Sequence, residues 1–204
     1  MDTLHQIFVN FLYILALLNP LSKVAVLSAS SADELQDLRS VVLKSTFVAT
    51  GILLGVMFLG DIILRDIFRV ELYALRIAGG AVLLTTGFNA LRKGVFFEKD
   101  TQARFTDLAI VPLACPMIAG PATIAASLAL AAPLGLWMPL CAVVLALGVN
   151  ALIMLFSQTI GSILTHFNIL GAVIRITGLI VMTMGVQMIL DGTSQWLATL
   201  KLAA

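Results

Sequence analysis

Charge is scarce in this chain. Only 11% of its 204 residues are Asp, Glu, Lys or Arg, and 60% are hydrophobic. A soluble domain carries about 25% charged residues, so with a mean hydropathy of +1.07 an ordinary soluble domain is excluded. The net charge of +1 gives no reason to expect nucleic acid or an acidic partner. Histidine and cysteine are almost missing. His5 and His166 fall near expected helix ends, and Cys115 and Cys141 fall inside expected spans. The cysteines read as small buried hydrophobes rather than a disulfide or a metal pair. There is no His-Glu-x-x-His, no Gly-x-Ser-x-Gly and no Gly-rich phosphate loop. Ser22 stands next to Lys23, but adjacent helical residues do not face each other, so the two form no dyad. No enzyme, cofactor, metal or ATP-driven step is therefore expected. The residues ahead of the first apolar run, Met1 to His5, include no Lys or Arg. That run lacks the basic start of a cleaved signal and reads as a retained span, although Ala25 to Ala32 is rich in small residues.

What remains is apolar sequence in long runs. A span takes about 20 such residues, and six segments qualify: 5–29, 41–60, 72–91, 106–131, 134–157 and 169–190. They use most of the chain. The expectation is an all-α integral membrane protein of six transmembrane helices, a single membrane domain over 1–204. The charged stretch from Arg92 to Arg104 is too short to fold alone.

Two of these runs are interrupted. Asn19-Pro20 and Gly120-Pro121 each sit inside an apolar segment. A proline ends or kinks a helix and pushes the residue before it out of the α region. Asn and Gly are favoured at helix N-caps, and Pro at the first helical position. Each break therefore reads as the start of a second half-helix, aiming unpaired N–H groups and a positive dipole end into the membrane. Breaks at corresponding positions of two halves are the sequence pointer to a transporter binding site. Plain kinks are the bland alternative, since Pro and Gly are frequent in membrane spans.

The halves, about 1–100 and 101–204, look duplicated. Pro20 maps to Pro121 at an offset of 101, and Arg76 to Arg175 at 99. Around the arginines, Leu75-Arg76-Ile77-Ala78-Gly79 resembles Ile174-Arg175-Ile176-Thr177-Gly178. Three helices per half is an odd number, so the second half enters the membrane upside down: a 3+3 inverted repeat with broken first and fourth helices. Arg39, Lys44, Arg92, Lys93, Lys99 and Arg104 fall on one side, and Arg65, Arg69 and Lys201 on the other. The positive-inside rule puts the richer set in the cytoplasm and both termini in the periplasm.

Leu18-Asn19-Pro20-Leu21-Ser22, Leu75-Arg76-Ile77-Ala78-Gly79-Gly80, Val111-Pro112-Leu113-Ala114-Cys115-Pro116 leading to Ala119-Gly120-Pro121, and Arg175 with Met184-Gly185-Val186-Gln187-Met188-Ile189 resemble the MarC family. These are bacterial inner-membrane proteins, also called the six-helix neutral amino acid transporter family. The likeness covers nearly the whole chain, with the blocks in family order. It implies an inner-membrane protein and, as inferred for some members, transport of small neutral amino acids such as alanine or glycine. Three departures bear on substrate and ion rather than on fold. Gly120-Pro121-Ala122 stands for the usual Gly-Pro-Gly, Asp191-Gly192 for a frequent Asn-Gly, and Lys23 where the family tends to be uncharged.

A neutral amino acid is a zwitterion whose carboxylate suits helix N-termini. The expected substrate site is thus Asn19, Pro20, Ser22, Gly120, Pro121 and Thr123. The hydroxyls of Ser22 and Thr123 either add hydrogen bonds to the ligand or satisfy local carbonyls. Ionisable groups at depth are functional candidates. Lys23 either snorkels to the surface or binds a carboxylate or exchanges a proton. Arg76 and Arg175 start helices and read as interfacial or structural, with Asp107 a partner for Arg175. Asn10, Asn89, Asn150 and Gln187 read as interhelical glue, with pathway lining as the minority reading. The alternative to a carrier is a channel or a non-transporting membrane subunit. Coupling to H+ or Na+ and a homo-oligomer are both compatible with the sequence.

Overall fold

The computed structural model describes residues 3–28, 38–67, 69–95, 113–114, 117–134 and 136–203. Asp107, Cys115 and the first part of the 106–131 segment lie outside them. The described residues are mostly helical, without a strand: α1 (Thr3–Leu18), α2 (Pro20–Ser28), α3 (Leu38–Asp61), α4 (Leu72–Lys93), α5 (Pro121–Leu134), α6 (Trp137–Leu155), α7 (Ser157–His166) and α8 (Leu170–Ala203).

Five of the expected spans are matched by helices long and apolar enough to cross a membrane: Thr3–Ser28, Leu38–Gly60, Leu72–Lys93, Trp137–Leu155 and Leu170–Leu200. Pro121–Ala131 is a shorter apolar helix. The outer surface suits lipid, not water. Phe47 is 82% exposed, and Leu145, Leu152, Ile176 and Ile180 are exposed with it. Large apolar side chains exposed in such number suit a lipid contact. Cys141 also turns outward, which corrects the expectation that it is buried.

Small residues set the packing. Lipid is as apolar as a leucine core, so membrane helices associate by close van der Waals approach. Ala119, Ala122, Ala125, Ala126 and Ala146 are all buried in one cluster with Ile14, Leu53 and Leu147. The tightest seam joins α4 to α8. A Cβ on Gly80 would lie 2.6 Å from the Gly185 carbonyl oxygen, and one on Gly87 would lie 2.5 Å from that of Gly178. The two helices are therefore antiparallel, with backbone against backbone. Gly79 faces α5 instead, where a Cβ would meet the Ala122 Cα at 3.0 Å. The Gly51-xxx-Gly55 pair has nothing within 4 Å of either position; it packs no helix among the described residues.

The helix ends repeat. Arg69, ahead of α4, and Asn168, ahead of α8, both adopt the left-handed region, with φ of 52° and 55°. The next amide turns back in each case: Val70 N–H donates to the Leu64 carbonyl at 2.8 Å, and Ile169 N–H to that of Leu164 at 3.0 Å. A π-helical turn over Ile62–Ile67 leads into the first of these ends, and α7 leads into the second. Neither that turn nor α7 was expected. Gly94, with φ of 71°, closes α4 by donating to the Ala90 carbonyl, the usual left-handed helix stop. Arg92 and Lys93 in its last turn complement the negative helix end.

Candidate functional site

The first break is present, and at the second the half-helix begins where expected. At the first, Asn19 separates α1 from α2 with φ of 48°. An N-cap residue normally takes the β region, so the expected cap assignment needs correcting. Asn19 ends α1 as a left-handed stop, with its N–H on the Leu15 carbonyl at 3.1 Å. Asn is one of the few non-glycine residues that tolerate this conformation. At the second break Gly120 lies outside helical structure, and α5 begins at Pro121.

The two breaks carry matched hydroxyl bonds. Ser22 Oγ donates to the Asn19 carbonyl at 2.7 Å. Thr123 Oγ1 lies 2.9 Å from the Gly120 carbonyl and 2.8 Å from the Ile118 carbonyl, and accepts from the Gly120 N–H at 2.9 Å. Of the two roles open to these hydroxyls, the local one is observed. They brace the unwound backbone, which is tolerated at membrane depth only where protein covers it.

The breaks share one cavity of about 70 Å³. Asn19 and Ser22 line it from one side, Gly120, Pro121 and Thr123 from the other, and Val82, Leu83 and Thr86 of α4 form a third wall. Pro20 does not line it. It faces a separate, largely apolar cavity of about 400 Å³, which Asn19 also borders. Two polar groups in the central cavity are uncommitted. Among the described residues neither the Asn19 side-chain amide nor the Thr86 hydroxyl makes a hydrogen bond. The N–H groups of Leu21, Ala122 and Thr123 fall in first turns, where donors have no partner within their own helix. Thr86 was missed from the sequence, because its neighbour Thr85 hides it in an apolar run.

The remaining candidates scatter. Lys23 does not snorkel: it is 1% exposed, and its ammonium donates to the Leu18 carbonyl. That carbonyl belongs to the end of α1, where a cation offsets the negative helix terminus. Lys23 thus braces the first break and does not line the cavity. Asn89 and Gln187 are exposed on outer helix faces, and Gln187 Nε2 donates to Asp191 Oδ1 at 2.8 Å within α8. Neither lines the central cavity or bridges helices. Asn150 is buried, but it reaches only Met154 Sδ on its own helix at 3.2 Å, and its Oδ1 has no partner. Asn10 Nδ2 is also buried without a partner. The interhelical amide is instead Gln158, which was not singled out. Its Nε2 donates to the Leu27 carbonyl at 2.7 Å, tying α7 to α2. Arg175 is exposed, and its expected partner Asp107 lies outside the described residues. Arg76 lines a second cavity with Tyr13 and Asp191.

The sequence matches the family described as "MarC family integral membrane protein" over residues 4–197. The chain belongs to the MarC family. It is 33% identical over 190 residues to a UPF0056 membrane protein of Pyrococcus horikoshii, covering 93% of this chain and 94% of that one. A UPF0056 membrane protein of Methanocaldococcus jannaschii is 32% identical over 201 residues, covering 93% and 96%. The UPF0056 inner membrane protein MarC of Citrobacter koseri is 26% identical over 220 residues, covering 98% and 99%. These MarC-family names state membrane residence and no substrate. No solved structure matches the chain.

Proposed function

We propose that this MarC-family protein is a secondary carrier of small neutral amino acids, glycine or alanine in size, which bind between the two broken helices. The observation that carries the reading is the shared cavity: both breaks open into it, and the Asn19 amide faces it without a partner. An amide offers donors to a carboxylate and an acceptor to an ammonium, so it suits a zwitterion. The first-turn N–H groups and the positive ends of α2 and α5 add to the carboxylate side. Size restricts the ligand. The cavity is small, about 70 Å³, which suits a ligand no larger than a small amino acid.

An inverted-repeat plan accompanies this reading. It is supported by the paired breaks, by the left-handed turns at Arg69 and Asn168 and by the antiparallel α4–α8 seam. In this plan the whole chain is one membrane domain in a bacterial inner membrane. Both termini are periplasmic, and transport is driven by H+ or Na+ or proceeds by passive exchange, without enzymatic chemistry.

Ser22 tests the site. It is 4% exposed and lines the central cavity. With Cys115 and Cys141 replaced, Ser22→Cys is expected to react slowly with a small thiol-specific reagent, and alanine to slow the reaction further in a saturable way. Labelling at a rate indifferent to glycine and alanine counts against a ligand at the breaks.

A further inference from the structure

A second cavity is stacked on the first. Its volume is about 220 Å³, and Tyr13 of α1, Arg76 of α4, Ala126 and Leu130 of α5, and Met188 and Asp191 of α8 line it. Every one of these helices passes from this cavity to the central one. On α4 Arg76 precedes Val82, and on α1 Tyr13 precedes Leu17; on α5 Ala126 follows Thr123, and on α8 Asp191 follows Val181. With a rise of about 1.5 Å per residue, the charged groups lie roughly 9–15 Å from the central cavity. They sit toward the end of the bundle where α1 and α4 begin.

The polar groups of this cavity are of opposite charge and are not joined. Among the described residues no ion pair closes between the Arg76 guanidinium and the Asp191 carboxylate. Gln187 Nε2 donates to Asp191 Oδ1 at 2.8 Å and steadies that carboxylate on its own helix. A cation and an anion facing one cavity suit a partner that carries both charges. Arg76 suits a carboxylate through its planar fork of donors; Asp191 suits an ammonium. The fixed charges cancel, so a zwitterion enters without leaving an uncompensated charge, whereas an amine or a carboxylic acid alone satisfies one residue only.

The geometry points to an outer substrate site, in which Arg76 holds the α-carboxylate and Asp191 the α-ammonium of a neutral amino acid on its way to the central cavity. This inference rests on the carrier reading and adds a second, selecting station to it. The test uses the full-length protein reconstituted in liposomes, with labelled alanine as the probe. Arg76→Gln is expected to raise KM about tenfold or more, as loss of a charge-assisted contact does, with kcat changed far less. Asp191→Ala follows the same pattern, and Asp191→Asn, which keeps an acceptor, lies between it and wild type. Ethylamine and propionate are expected to compete poorly with alanine in wild type. Should Arg76→Gln fail to fold, Arg76→Lys retains the charge without the fork and still raises KM. Saturable alanine uptake with wild-type KM in the folded Arg76 and Asp191→Ala variants overturns the outer site and leaves the carrier standing. Absence of uptake in wild type overturns the carrier, and this inference with it.

Discussion

Replacing Asn19 by Gly is expected to weaken amino acid uptake more than tenfold while leaving a folded protein in the membrane. Glycine keeps the left-handed backbone that Asn19 adopts, with φ of 48°, and removes only the amide that faces the cavity. Asn19→Leu is the less informative change. It also forces a branched side chain into a conformation that costs about 1–2 kcal/mol for most residues. Gly120→Val attacks from the other break. Gly120 is buried and lines the cavity, so a valine side chain fills space that a small ligand needs. Polar and dipole contacts of this kind are worth up to about 2 kcal/mol in partly buried geometry, or more than tenfold in affinity. Saturable uptake is the readout, and detergent-extracted yield is the control for folding. Wild-type affinity in both variants would return the breaks to the status of simple kinks.

Gly87→Leu is expected to prevent folding altogether. Its Cβ would fall 2.5 Å from the Gly178 carbonyl oxygen and 2.5 Å from the Met182 nitrogen. Those atoms are backbone, so no rotamer change relieves the clash, and α4 must part from α8. Overpacking a tight core costs about 1–3 kcal/mol even where side chains can shift; a backbone clash along the main helix pair costs at least that. Gly51→Leu is the matched control, since nothing lies within 4 Å of that position. Monodisperse recovery from detergent, with a thermal midpoint, separates them. Equal recovery of Gly87→Leu and Gly51→Leu would contradict the α4–α8 seam.

The breaks were legible because proline inside an apolar run has few other meanings. Span positions were legible because the hydrocarbon core fixes helix length. Side-chain direction was not. A membrane helix is apolar on every face, so periodicity does not say which face a lone polar residue joins. Asn89 and Gln187 consequently turned outward, and Thr86 turned inward unnoticed. Lys23 turns inward for a related reason. Chain length allows it to reach the surface, but the orphan carbonyls left by the first break attract it inward, and the break itself supplies the partner. The bend at Phe156 between α6 and α7 carries neither Gly nor Pro, so nothing in the local sequence announces it. The left-handed Asn19 follows from needing to stop α1 as well as start α2, and a cap rule applied to α2 alone overlooks the first task.

The central claim is that a small zwitterion occupies the cavity between the breaks. Uptake of a panel of labelled neutral amino acids by the purified protein in liposomes tests it most directly. Saturable uptake of glycine and alanine is predicted, falling steeply through valine to leucine and phenylalanine as the ligand outgrows the cavity of about 70 Å³. Flux that rises linearly with concentration and ignores side-chain size, or no uptake of any member of the panel, would contradict the account.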